Sequence, residues 1–144
     1  MFRIHFLGVG QGDCTILQFE NGRTYLIDAN ETSEKVTPIE YLTQTLRITQ
    51  LETVVVTHPH DDHISGLQSI IEQIPIRQIW LINQPYNSRS YEELLLAINR
   101  QPELRVFSPR SGTRVSEGKD RIYIMGPPPT LLRGTHSDIN NASI

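Results

Sequence analysis

The fifteen residues TVVVTHPHDDHISGL, Thr53 to Leu67, join a β-branched run to a crowd of ionisable side chains. Thr53-Val54-Val55-Val56 has the composition of a short strand buried on both faces. Three histidines and two aspartates follow in the six positions from His58 to His63. Ile64, Leu67, Ile70, Ile71 and Ile74 then recur at helical spacing up to Pro75, which predicts a helix over that stretch. The histidines therefore stand where a buried strand ends and a helix begins.

Imidazole and carboxylate are the ligands a divalent ion takes when no thiolate is at hand. Cys14 is the single cysteine, so no internal disulfide and no thiolate-rich site can form. His58 and His60, two apart on an extended segment, point the same way and can bind one ion at about 2.0–2.1 Å per zinc–nitrogen bond. Asp62 and His63 lie where the chain turns and could reach a second ion, which in two-metal sites sits about 3.5–4 Å from the first. The competing reading is a solvated polar loop, with Asp61 favoured near the helix N-terminus by the helix dipole. Three of the chain's five histidines in six positions, at the end of a buried strand, favour the metal.

Outward from this stretch, strands and helices alternate, which places the chain in the α/β or α+β class. Phe2, Ile4 and Phe6 alternate with Arg3 and His5 as in a half-buried strand, and the pattern stops at Gly8. Gly8 to Gly12 reads as a tight loop, Cys14 to Phe19 as a second strand, Asn21-Gly22 as a hairpin turn and Thr24 to Ile27 as a third strand. Thr37-Pro38-Ile39-Glu40 carries a capping box with proline in the first helical position, followed by an apolar stripe at Ile39, Leu42 and Leu46. Ile76 to Ile82 reads as a strand, Ser90 as the cap of a helix through Ile98, and Leu104–Phe107 and Ile122–Met125 as further strands.

At 144 residues the chain has the length of one domain, residues 1–144. Its hydrophobic fraction of 38% and charged fraction of 20% exclude disordered and fibrous classes. No apolar run approaches the roughly 20 residues of a spanning helix and no leader pattern opens the chain, so the expectation is a cytoplasmic protein with no membrane partner. The net charge of -3 hides a split. Residues 1–72 carry 4 basic and 10 acidic side chains (net -6), and 73–144 carry 9 and 6 (net +3). The later half could face a phosphate, although arginines scattered for solubility would give the same count.

His58-Pro59-His60-Asp61-Asp62-His63, with Thr57 before it and Gly66-Leu67 after it, resembles the HxHxDH signature of the metallo-β-lactamase fold superfamily. Phe6-Leu7-Gly8-Val9-Gly10-Gln11-Gly12-Asp13, Tyr25 to Asn30 and Asp138 to Ser143 resemble the branch related to the hydrolase domain of ComEC/Rec2 competence proteins. The resemblance implies an αββα sandwich with the metal site at one edge, His58 and His60 holding one ion and Asp62 and His63 another. It places Asp28 behind the site, steadying the histidine loop, where a turn-forming strand-end aspartate is the plainer account. Asp13 would line the same edge or close a turn. Asn30 stands where the family has glycine, a position asparagine tolerates through left-handed geometry. The family's bridging aspartate and final histidine have no counterpart, so the expectation is a domain incomplete at its C-terminus. His136 is a substitute ligand or an exposed loop residue.

The cofactor expected is one or two divalent ions, zinc first, with manganese and iron as alternatives. The reaction expected is hydrolysis by a metal-activated water, with Asp62 accepting its proton and activity falling in acid as the histidines protonate. Phosphodiesters, nucleic acid included, are the leading substrates, with Arg89, Arg110 and Arg133 as candidate phosphate partners. Lactams or thioesters are the alternative within the superfamily. A different class of reading is a metal-binding but inactive fragment or split partner, covering its open edge by self-association or by a complementing chain.

Overall fold

The computed structural model describes residues 1–31, 36–82, 84–128 and 143–144. Its centre is the strand expected at the start of the histidine stretch, β4 (Leu51–Val56), in which Val54, Val55 and Val56 are all buried. β4 lies between β3 (Thr24–Ile27) and β5 (Ile76–Leu81), parallel to both. β1 (Arg3–Phe6) and β2 (Thr15–Gln18) extend the sheet antiparallel on one side, and β6 (Arg105–Phe107) extends it parallel on the other. The order is β1-β2-β3-β4-β5-β6, with a separate ribbon of β7 (Arg114–Glu117) and β8 (Asp120–Tyr123). This is a mixed α/β architecture, the class the alternating strands and helices predict.

Strand alternation divides the packing. Ile16, Leu26, Val54, Val56, Ile79 and Leu81 face the helices and form the main core with Leu42, Leu67, Ile70 and Leu94. Tyr25, Val55 and Trp80 face the other way and meet Phe19 and Ile124. A buried Leu or Ile side chain contributes about 1.5–3 kcal/mol, so the helix-covered face carries most of the apolar stabilisation.

Several local expectations hold. Thr37 and Glu40 make the reciprocal capping box before α1 (Pro38–Glu40), which continues as a π-helical turn over Tyr41–Thr45. Gly22 adopts φ +85° in the β2–β3 hairpin. Other expectations need correction. Phe2, Ile4 and Phe6 alternate as foreseen but are 39%, 49% and 80% exposed, and it is His5 that turns to the helices, bonded to Tyr41 Oη and Gln18. β1 is an edge strand. The helix expected after His63 is broken into α2 (Asp61–Ile64) and α3 (Leu67–Gln73), because the Gly66 amide donates to Ala29 O at 2.9 Å. α4 (Arg89–Asn99) is capped by Ser88, whose Oγ accepts from the Tyr91 amide, two residues before the serine the sequence suggested. β7 was not foreseen; its Val115 alternates weakly, and only the Gly118 turn at φ +63° marks the hairpin.

The ribbon is fastened by one carboxylate. Glu117 is 2% exposed and accepts from Tyr25 Oη at 2.5 Å, Asn21 Nδ2 at 2.9 Å and Arg23 Nη1 at 3.0 Å. Burial pushes its pKa up, but the three donors together outweigh burial and hold it below the ordinary value. A carboxyl group depressed in the folded state stabilises the fold above its unfolded pKa and loses that contribution as the pH falls through the folded one. Wild type should therefore lose more of its thermal midpoint between pH 7 and pH 3 than Glu117→Gln does, read by circular dichroism melts. At pH 7 the variant should be less stable by about 2 kcal/mol, the worth of hydrogen bonds to a buried charge.

Candidate metal centre

The site lies at the carboxyl ends of β3 and β4. Leaving β4, the chain passes through Thr57 and the half-buried His58, buries Pro59, and enters α2 with His60 at the N-cap. Asp61, Asp62 and His63 occupy the first turn of that helix. Asp61 is thus a first-turn residue near the positive end of the helix dipole, not the cap. The three imidazoles converge: ring centroids are 4.7 Å apart for His58 and His60 and 4.0 Å for His58 and His63. Asp62 Oδ1 lies 3.9 Å from His63 Nε2.

Asp28, at the end of β3, is 1% exposed and holds this loop from behind. Its Oδ1 accepts from the Thr57 amide at 2.8 Å; its Oδ2 accepts from Thr57 Oγ1 at 2.6 Å and lies 2.8 Å from His63 Nδ1. Thr57 Oγ1 is in turn 3.0 Å from His58 Nδ1. Asp13, well exposed, brings its Oδ2 within 3.7 Å of His63 Nδ1, and ligand atoms of Asp13, Asp28 and His63 lie within 4.8 Å of one another. Both oxygens of the Asp28 carboxylate are thus engaged by groups of the histidine loop.

The left-handed residue here is Asp28, at φ +54°, and not Asn30 as the sequence suggested. Asn30 serves through its side chain instead. Its Nδ2 donates to Val9 O at 3.2 Å and Gln11 O at 2.5 Å, and its Oδ1 accepts from Ser65 Oγ at 2.7 Å. Ala29 N donates to His63 O at 2.8 Å. The segment Asp28-Ala29-Asn30 thus ties the glycine loop, the histidine loop and the helix break into one unit.

Electrostatics suit a cation. Burial, with the neighbouring His63 and His60, pushes His58 down to about 4, so its ring is neutral at pH 7. The hydrogen bond to Asp28 raises His63 against the effect of burial. Hydrogen bonds occupy the Nδ1 sides of His58 and His63, leaving Nε2 of each for a ligand, beside Asp62. Three imidazoles, a carboxylate and hydrogen-bonded supports behind them form a donor set that fits a divalent ion.

Tyr86 escaped the sequence reading. It follows β5 and its ring sits 5.3 Å from His60 and 6.3 Å from Tyr91 of α4, closing one side of the site. The only signal was its place after a buried strand. Of the arginines considered for phosphate, Arg89 pairs with Glu93 at 2.7 Å and Arg110 donates to Pro109 O at 2.9 Å, away from the histidines in bonding terms. Arg133, His136 and residues 138–142 lie outside the described residues. No helix among the described residues is long and apolar enough to cross a membrane.

The sequence profile of the metallo-beta-lactamase superfamily matches residues 7–136, which takes in the glycine loop, Asp28 and the whole histidine stretch. The chain belongs to this superfamily. Solved structures agree on the superfamily fold. An archaeal metallo-beta-lactamase superfamily protein from Sulfolobus tokodaii aligns with TM-score 0.56 and 15% identity over 85% of this chain and 54% of that one. Rubredoxin oxygen:oxidoreductase from Desulfovibrio gigas gives 0.54 and 17% over 80% and 27%. CmlA, a diiron beta-hydroxylase from Streptomyces venezuelae, gives 0.53 and 15% over 87% and 23%. The chain thus spans about half or less of the length of each of these three structures. No curated protein sequence matches it.

Proposed function

We propose that this chain is a metal-dependent hydrolase of the metallo-β-lactamase superfamily acting on phosphodiesters. The observation that carries the reading is the convergence of His58, His60 and His63 beside Asp62, with two of the rings anchored from behind through Thr57 and Asp28. In this reading His58 and His60 hold one divalent ion and Asp62 and His63 face a second, with zinc ahead of manganese and iron on ligand type. A bound ion would lower the pKa of its water to about 7 and polarise the substrate oxygen. Asp62 would orient the attacking water and accept its proton, while Asp28 and Thr57 keep the rings in place. Asp13 lines the open side. The phosphodiester preference is supported by the likeness of the Phe6–Asp13 and Tyr25–Asn30 stretches to the competence-protein branch.

Metal content tests it. Protein purified without chelator should carry one to two equivalents of a divalent metal, and a His58→Ala/His60→Ala double variant less than about a tenth of that. The metal-loaded wild type should cleave a generic phosphodiester such as bis-p-nitrophenyl phosphate and leave a lactam and a thioester untouched. Metal bound without turnover on any of the three would instead support the reading as an inactive binding fragment, and no bound metal would end both.

A further inference from the structure

The hydrogen bonds behind the histidines have a direction. The Asp28 carboxylate only accepts, and Thr57 Oγ1 has one proton, which at 2.6 Å from Asp28 Oδ2 is spent on that oxygen. His58 Nδ1, 3.0 Å from the same hydroxyl, therefore cannot receive a proton from it and must donate its own. His63 Nδ1 likewise donates to Asp28 Oδ2 at 2.8 Å.

We propose that Thr57 is a positioning residue whose hydroxyl relays the Asp28 carboxylate to His58, locking His58 and His63 in the same Nδ1–H tautomer and leaving both Nε2 lone pairs for metal. The proposal deepens the metal-hydrolase reading and concerns how its ligands are prepared. A single carboxylate reaches two ligand rings: His63 directly, and His58 through a hydroxyl that lies 2.6 Å from the carboxylate and 3.0 Å from the ring. Serine can make both bonds, whereas valine has threonine's shape and neither bond.

The test uses the metal-free full chain with ¹⁵N-labelled histidine at pH 7.5, where long-range proton–nitrogen spectra report which ring nitrogen is protonated, together with Zn(II) affinity by competition with a chromophoric chelator. Wild type should show His58 and His63 protonated at Nδ1. Thr57→Val should move His58 to the Nε2–H form or to a mixture, leave His63 unchanged, and weaken Zn(II) binding about tenfold or more, in the range seen when a ligand's supporting hydrogen bond is removed. Thr57→Ser should restore both. Wild-type His58 protonated at Nε2 would overturn the proposal without any variant. So would a folded Thr57→Val with the wild-type tautomer and affinity. Failure of wild type to bind Zn(II) would remove the hydrolase reading, while the tautomer spectra would still decide the role of Thr57.

Discussion

Gly12→Ala should lose about 3–5 kcal/mol of stability and most of its metal binding, while Gly10→Ala should lose only about 1 kcal/mol. Both glycines have positive φ, +73° at Gly10 and +97° at Gly12, so any side chain brings backbone strain. The surroundings separate them. A Cβ at Gly10 meets nothing within 4 Å, whereas one at Gly12 would stand 1.8 Å from the Asp62 carbonyl oxygen and 2.8 Å from its carbonyl carbon. Those atoms are backbone in the first turn of α2 and cannot step aside like a side chain. To fit the methyl group, either the glycine loop must lift from the sheet edge or the turn carrying Asp62 and His63 must move. Lifting breaks the Asn30 bonds to Val9 and Gln11, and moving the turn pulls His63 off Asp28. Urea midpoints for the two variants, with Zn(II) affinity on whatever remains folded, measure both effects. Equal midpoints would mean that the close approach to Asp62 is not maintained in solution.

That contrast shows what the sequence could and could not reveal. Both glycines were legible as a tight loop, but which one touches the histidine loop depends on how residues 8–13 fold over α2, a long-range contact with no local signal. The buried strand before the histidines was legible because Val54, Val55 and Val56 leave no polar side. β1 was half legible: its alternation predicts a strand, but which side turns inward is decided by distant partners, Tyr41 and Gln18, which hold His5 toward the helices. The helix after His63 was read as continuous because its apolar spacing is continuous, and the break comes from the carbonyl of Ala29, in the loop just past β3. Within the site, the ligand-type residues stood together in the sequence and stand together in the fold. Thr57 and Tyr86 differ, since neither is a ligand type and only geometry shows what each touches. The left-handed residue was misplaced for a related reason. Asparagine has the better propensity, but the chain reverses at Asp28, where the carboxylate must face Thr57 and His63.

Asp28→Ala and Asp28→Asn should fail in different ways, and the difference isolates the carboxylate's part in the site. Alanine at φ +54° carries the left-handed strain and leaves the Thr57 amide, the Thr57 hydroxyl and the His63 Nδ1 proton without their acceptor. An unsatisfied buried donor costs about 1–3 kcal/mol, so even partial relief by water leaves an expected loss of about 3–5 kcal/mol, a large share of a domain's 5–15 kcal/mol. Asparagine fills the space and tolerates left-handed geometry, so the fold should survive with a loss of about 1–2 kcal/mol. Its amide still cannot satisfy the site. Turned one way, its NH2 group meets the Thr57 amide proton; turned the other, it meets the Thr57 hydroxyl and His63. In the second orientation His63 can accept only by releasing its Nδ1 proton and taking one at Nε2, the nitrogen needed for metal. Asp28→Asn should therefore melt only several degrees below wild type, well above the alanine variant, yet bind Zn(II) about 10- to 100-fold more weakly. Thermal melts and chelator competition on both variants check this, and an asparagine variant with wild-type affinity would show that the negative charge of Asp28 has no part in preparing the histidines.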